Sequence, residues 1–109
     1  MPKVKVEKTI RASREKIFNL VTDFENLPLR FPQFFRSVKV ISREGNTVTT
    51  EDLAMMAGRE IDQTTKHILV PPLIDEVYLL SGDARDSHII TKYETIPEGT
   101  KITVGGTLS

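Results

Sequence analysis

The stretch Lys3–Phe24, KVKVEKTIRASREKIFNLVTDF, changes its hydrophobic period once, and that change decides the fold class. In its first part Val4, Val6 and Ile10 take even positions, while Lys3, Lys5 and Glu7 take odd ones. A period of two sends alternate side chains to opposite faces, so Lys3–Ile10 reads as a strand with one dry face and one wet face. Ser13 then stands where a helix N-cap belongs, and Glu15 falls in the first turn, where a carboxylate complements the helix dipole. Ile17, Leu20, Val21 and Phe24 follow at i, i+3, i+4 and i+7, one apolar stripe on a helix. Pro28 disfavours helical geometry at Leu27 and is expected to end or kink that helix, with a second short helix or turn over Asn26–Phe31 before Pro32.

From Phe35 onward the signal is strand. Val38 and Val40 alternate with Lys39 and Ile41 as far as Gly45-Asn46, a hairpin turn signal. The β-branched run Thr47-Val48-Thr49-Thr50 suits a pleated surface and opens a strand reaching Met55, with a reversal at Gly58. Over Arg59–Val70, Ile61, Gln63, Thr65, His67 and Leu69 share one face; Glu60, Asp62, Thr64 and Lys66 share the other, the solvent side. Pro71-Pro72 breaks that run, and Leu73–Leu80 resumes it after a bend. A Gly82-Asp83 hairpin, a strand over Ser87–Thr95, a Pro97-Glu98-Gly99 turn and a strand over Lys101–Val104 complete the series. The order is one strand, a longer helix, a short helix and six consecutive strands. It predicts an α+β fold, a curved antiparallel sheet of about seven strands on which the helix buries its stripe. Residues 1–109 read as one domain, without repeat, low-complexity tract or linker.

Composition removes several function classes. Lys plus Arg and Asp plus Glu number 15 each, for a formal charge of zero. Phosphate contacts need a basic patch, so no nucleic acid partner is expected, nor an anionic membrane surface. With no cysteine in the chain, disulfides, thiolate metal sites and thiol nucleophiles are excluded together. No run approaches the roughly 20 apolar residues of a membrane span. Met1–Lys5 shows no continuous apolar segment of a signal peptide, and a cytoplasmic location is expected.

Few residues bear chemistry. His67 lies on the apolar face of its strand beside Thr65 and Leu69, either pointing into a cavity or held in the core by a hydrogen bond. His88 neighbours Asp86 and Ile90. Neither histidine has the spacing to further ligands that zinc requires, and no metal is expected. Phosphate-cradling glycine loops and a nucleophile elbow are also missing, so no cofactor and no catalytic residue is assigned. Glu51-Asp52 are adjacent in a strand, face opposite sides and cannot share a proton. Glu76 alternates with Ile74 and Tyr78. On an interior face it would serve as a general base, and on an edge it would pair with Arg59 or Lys92.

Phe31-Pro32-Gln33-Phe34-Phe35 sets three phenylalanines beside prolines, a rigid apolar lip. Phe18 and Phe24 are expected in the core, whereas Phe31 and Phe34 fit either core or cavity mouth. Met55-Met56 supplies soft, adaptable surface, and Tyr78 and Tyr93 supply hydroxyls that orient a ligand or simply pack. The expected ligand-binding set is Phe31, Phe34, Met55, His67, Glu76, Tyr78 and Tyr93.

Three segments carry a family resemblance. Val6–Phe18 looks like the opening strand, small-residue cap and first helix of the START-like (SRPBCC, helix-grip) superfamily, polyketide cyclase/dehydrase and coenzyme-Q-binding branch. Val21-Thr22-Asp23-Phe24-Glu25, continuing to Phe31–Phe35, resembles the Asp-to-aromatic-Pro step of the coenzyme-Q-binding proteins. Glu98-Gly99-Thr100-Lys101-Ile102-Thr103 is similar to the family's turn into its last strand. The resemblance implies binding or transport of a hydrophobic or amphipathic molecule (lipid, quinone or polyketide-like) between sheet and helix. A second reading is a cyclase/dehydratase-type enzyme in which His67, Glu76 or Tyr78 acts as acid or base. The family closes its cavity with a C-terminal helix, and no helical stripe follows Val104. The sequence therefore reads as lacking that helix, and the uncovered sheet face is expected to pair with a second copy or another protein.

Overall fold

Ser13 is the hinge between the two hydrophobic periods, and its hydroxyl accepts a hydrogen bond from the Lys16 amide at 3.2 Å. The computed structural model describes residues 2–109, and at Met56 the backbone alone. Strand β1 spans Lys3–Ile10 and helix α1 spans Arg14–Val21. A single 3-10 turn, Phe24–Asn26, leads into a short helix α2, Leu27–Arg30. Six strands follow: β2 (Phe35–Glu44), β3 (Thr47–Met56), β4 (Arg59–Val70), β5 (Ile74–Leu79), β6 (His88–Ile96) and β7 (Gly99–Thr107). They form one curved, wholly antiparallel sheet in the order β1-β7-β6-β5-β4-β3-β2.

Two local expectations need correcting. The first helix ends at Val21, with the Thr22 amide bonded to the Phe18 carbonyl, well before Pro28. Pro28 instead opens α2, because the first turn of a helix has no use for the amide that proline lacks. On α1 Ile17 and Phe18 are buried and Leu20 is only partly covered. The second correction concerns Pro71-Pro72, which is no bend in a continuing strand. With Leu73 it forms a three-residue reversal that pairs Val70 with Ile74.

The helices pack on one face of the sheet through two apolar clusters. Ile17 and Phe18 of α1 meet Tyr93 of β6, with Phe18 and Tyr93 edge to face at 5.5 Å. Phe24 and Leu27 meet Val48 of β3, and Leu69 of β4 touches both clusters. Val6 stands on the same face of β1, opposite Val104, yet remains 61% exposed, so the helices leave that end of the sheet uncovered. At the β6–β7 reversal a Cβ on Gly99 (φ +142°) would strike the Ile10 carbonyl and the Arg11 Cα, so glycine alone lets β7 begin against β1. No helix among the described residues is long and apolar enough to cross a membrane.

Candidate functional site

Register decides which side chains face the helices. Directly paired residues share a face, and β4 presents its odd-numbered residues inward, as its alternation predicts. A two-residue turn, Ala57-Gly58, pairs Met56 with Arg59, so β3 presents even positions: Val48, Thr50, Asp52 and Ala54. The three-residue turn after β4 pairs Leu69 with Asp75, so β5 presents odd positions: Asp75, Val77 and Leu79.

Between this face and the helices lies a cavity of about 510 Å³. Val21, Phe24, Leu27, Phe31, Phe34 and Phe35 form its apolar helix-side wall. Its sheet side carries Thr50, Asp52, Gln63, Thr65, His67 and Asp75, and Ser87, Ile89 and Leu108 close one end. The wall is apolar, and on the sheet side, the floor, these polar side chains stand among Val77, Leu79 and Ile89.

Two hydrogen-bonded pairs organise the floor. The Thr65 hydroxyl donates to Asp52 Oδ2 at 2.9 Å, both residues being buried. Asp52 Oδ1 and the Thr50 hydroxyl have no hydrogen-bond partner among the described residues. His67 Nδ1 lies 3.0 Å from Asp75 Oδ1 and 3.3 Å from Oδ2. Nδ1 faces the Asp75 carboxyl, and Nε2 is the ring nitrogen turned away from that bond. A histidine held in this way is equipped to take up and return a proton at Nε2. Phe24 packs on its ring, with centroids 4.4 Å apart.

Of the residues expected at the site, Phe31, Phe34 and His67 line the cavity. Phe34 is 55% exposed and stands at the mouth. Tyr93 faces inward but lies in the core beneath α1, where burial and then the Asp75 charge push its hydroxyl pKa far up. Met55 has odd parity on β3 and faces away from the cavity, and the Met56 side chain lies outside the described residues.

Glu76 and Tyr78 stand on the outer face. The expectation of an interior place rests on the alternation of Ile74, Glu76 and Tyr78; the three-residue turn after Val70 gives the inner face to Asp75, Val77 and Leu79 instead. There Glu76 accepts from His88 Nε2 at 2.7 Å and from the Tyr78 hydroxyl at 3.1 Å. Those two bonds hold the Glu76 carboxyl below its ordinary value. Thr50, Asp52 and Asp75 are the floor residues that sequence reasoning missed.

A second depression, of about 470 Å³, lies on the outer face over Gly105 and Gly106. Its lining carries charges of both signs, Lys5, Lys92 and Lys101 beside Glu7 and Glu94, without the aromatic wall of the inner cavity. The inner cavity is therefore the candidate site.

The profile of a protein family described as polyketide cyclase/dehydrase and lipid transport matches residues 1–109. Among solved structures, TTHA0849 from Thermus thermophilus has a TM-score of 0.84 at 21% identity, covering 99% of this chain and 74% of that one. The Zhui aromatase/cyclase from Streptomyces sp. R1128 has a TM-score of 0.84 at 14% identity, covering 99% and 68%. A START superfamily protein from Mycobacterium smegmatis has a TM-score of 0.75 at 15% identity, covering 98% and 77%. At these identities the likeness is one of fold. No curated protein sequence matches the chain.

Proposed function

The chain belongs to the polyketide cyclase/dehydrase and lipid transport family, and on that premise we propose that it binds a hydrophobic or amphipathic small molecule between its helices and its sheet. The observation that carries this reading is the cavity of about 510 Å³ with an aromatic wall and a partly polar floor. Small-molecule sites have this make-up: mostly apolar lining, a few polar groups to fix orientation, and volumes of roughly 300–1,000 Å³. Lipids, quinones and polyketide-like molecules all fall within the implied ligand class. The test is titration with N-phenyl-1-naphthylamine, a neutral probe that fluoresces in apolar surroundings. Saturable binding is expected, and Val77→Trp, which fills the cavity, abolishes it. Absence of saturable binding, or binding indifferent to V77W, overturns the reading.

The His67–Asp75 pair favours a second reading, acid–base catalysis of the cyclase/dehydratase kind in the same cavity. His67 Nε2 would take a proton from a carbon beside a carbonyl, and Asp75 would steady the resulting imidazolium. His67→Gln would then abolish turnover of a reactive poly-carbonyl substrate while leaving probe affinity intact. Equal turnover by H67Q and the unaltered protein would sink it.

A further inference from the structure

The polar part of the cavity floor has a sign. Asp52 is 5% exposed and Thr50 is wholly buried. They lie two residues apart on β3, so they share its inner face, and both line the cavity. Thr65 satisfies one oxygen of the Asp52 carboxylate; the other oxygen and the Thr50 hydroxyl are left without a hydrogen-bond partner among the described residues. The only other carboxylate in the lining, Asp75, is engaged by His67. No lysine or arginine among the described residues lines this cavity, although the chain holds as many basic side chains as acidic ones.

A buried carboxylate with a bare oxygen is costly, and the cost falls most when a partner supplies both positive charge and N–H donors. We propose that the cavity selects amines: hydrophobic molecules bearing a protonated primary or secondary amino group. The ammonium pairs with the Asp52 carboxylate, while the apolar body lies against Phe24, Leu27 and Phe31. A neutral alcohol supplies a donor without the charge. A carboxylate brings like charge to Asp52 and is rejected. This assignment rests on the binding reading above and narrows it to one ligand chemistry.

The test displaces N-phenyl-1-naphthylamine at pH 7 with three competitors built on one ring: 2-(1-naphthyl)ethylamine, 2-(1-naphthyl)ethanol and 1-naphthylacetic acid. The amine is expected to compete at least about tenfold better than the other two, as a charge-assisted bond in a buried site implies. Asp52→Asn is expected to cut that advantage to about twofold or less. Equal competition by all three, or preference for the acid, overturns the amine assignment and leaves the binding reading standing. Failure of the probe itself to bind overturns the binding reading and the assignment with it. The three-competitor comparison uses the unaltered protein, so it decides the matter even if D52N does not fold.

Discussion

His67 and Asp75 meet diagonally across the β4–β5 ladder, Nδ1 to Oδ1 at 3.0 Å, on the face that the helices cover. Asp75 is 8% exposed, so removing the imidazole leaves a buried carboxylate without its donor. His67→Ala is expected to cost about 1–3 kcal/mol, and Asp75→Asn less, because the amide oxygen still accepts from Nδ1. Urea denaturation of both variants and of the double variant measures the coupling. A strictly additive double variant would show that the two side chains do not stabilise each other.

Thr50→Val replaces a buried hydroxyl that has no partner with a methyl group of the same shape. In the empty protein the change is expected to be neutral or to stabilise by up to about 1 kcal/mol. Thermal melts of the two proteins check the expectation. A loss of stability would mean that the hydroxyl has a partner in solution.

Phe24 and Phe34 both line the cavity, but they differ in what else they do. Phe24 is 3% exposed and packs on Leu27, Val48 and the His67 ring, so Phe24→Ala is expected to cost about 3–5 kcal/mol. Phe34 is 55% exposed, and Phe34→Ala should change stability by no more than about 0.5 kcal/mol while weakening probe binding. Unfolding midpoints and probe titrations on the two variants check the contrast. A stable F24A would place the ring outside the core.

The outer-face triplet of Glu76, His88 and Tyr78 gives the protein a pH signature. Hydrogen bonds from His88 and then Tyr78 lower the Glu76 pKa below its ordinary 4.5. A lowered carboxyl pKa stabilises the fold above the unfolded value, and the contribution disappears as pH falls through the folded one. Glu76→Gln should therefore lower the urea midpoint at pH 7, with the gap closing below 4.5. In the alkaline limb the sign reverses. The bond to Glu76 raises Tyr78, and burial raises Tyr93 further, so stability falls as pH climbs past the ordinary 10.0. An ultraviolet titration should find neither tyrosine ionising at 10.0, with Tyr78 alone moving back toward it in E76Q.

How much the sequence discloses follows from how sharply each strand distinguishes its two faces. β1 and β4 alternate cleanly, and their orientation, the strand count and the α+β class are all legible. β5 is not, because Ile74, Glu76 and Tyr78 look as suited to an interior as Asp75, Val77 and Leu79. Only the length of the Pro71–Leu73 turn separates the two choices, and proline pairs do not announce whether a turn holds two residues or three. Asp52 is readable in principle. Carrying the parity of β4 through the tight Ala57-Gly58 turn places Thr50 and Asp52 on the cavity side. Beside Glu51, however, Asp52 is weighed only as half of an adjacent pair that cannot share a proton, and its place as a buried acceptor goes unread. The cap at Ser13 is plain, yet the end of α1 is not. Pro28 looks like a terminator until the chain is seen to restart a helix on it.

Seating β1 beside β7 sets Lys3 opposite Thr107, so β1 gains its sheet partner only once β7 is in place. Helix α1 waits too, since Phe18 docks on Tyr93 of β6. Phe24 and Leu27 need only β3, where Val48 lies. Folding of the sheet is thus expected to run from its middle outward. Refolding, limited by that long closure, is expected in the millisecond-to-second range of non-local sheets. In stopped-flow traces Phe24→Ala should mainly slow folding and Phe18→Ala should mainly hasten unfolding. The reverse pattern would put the closing of the sheet ahead of its centre.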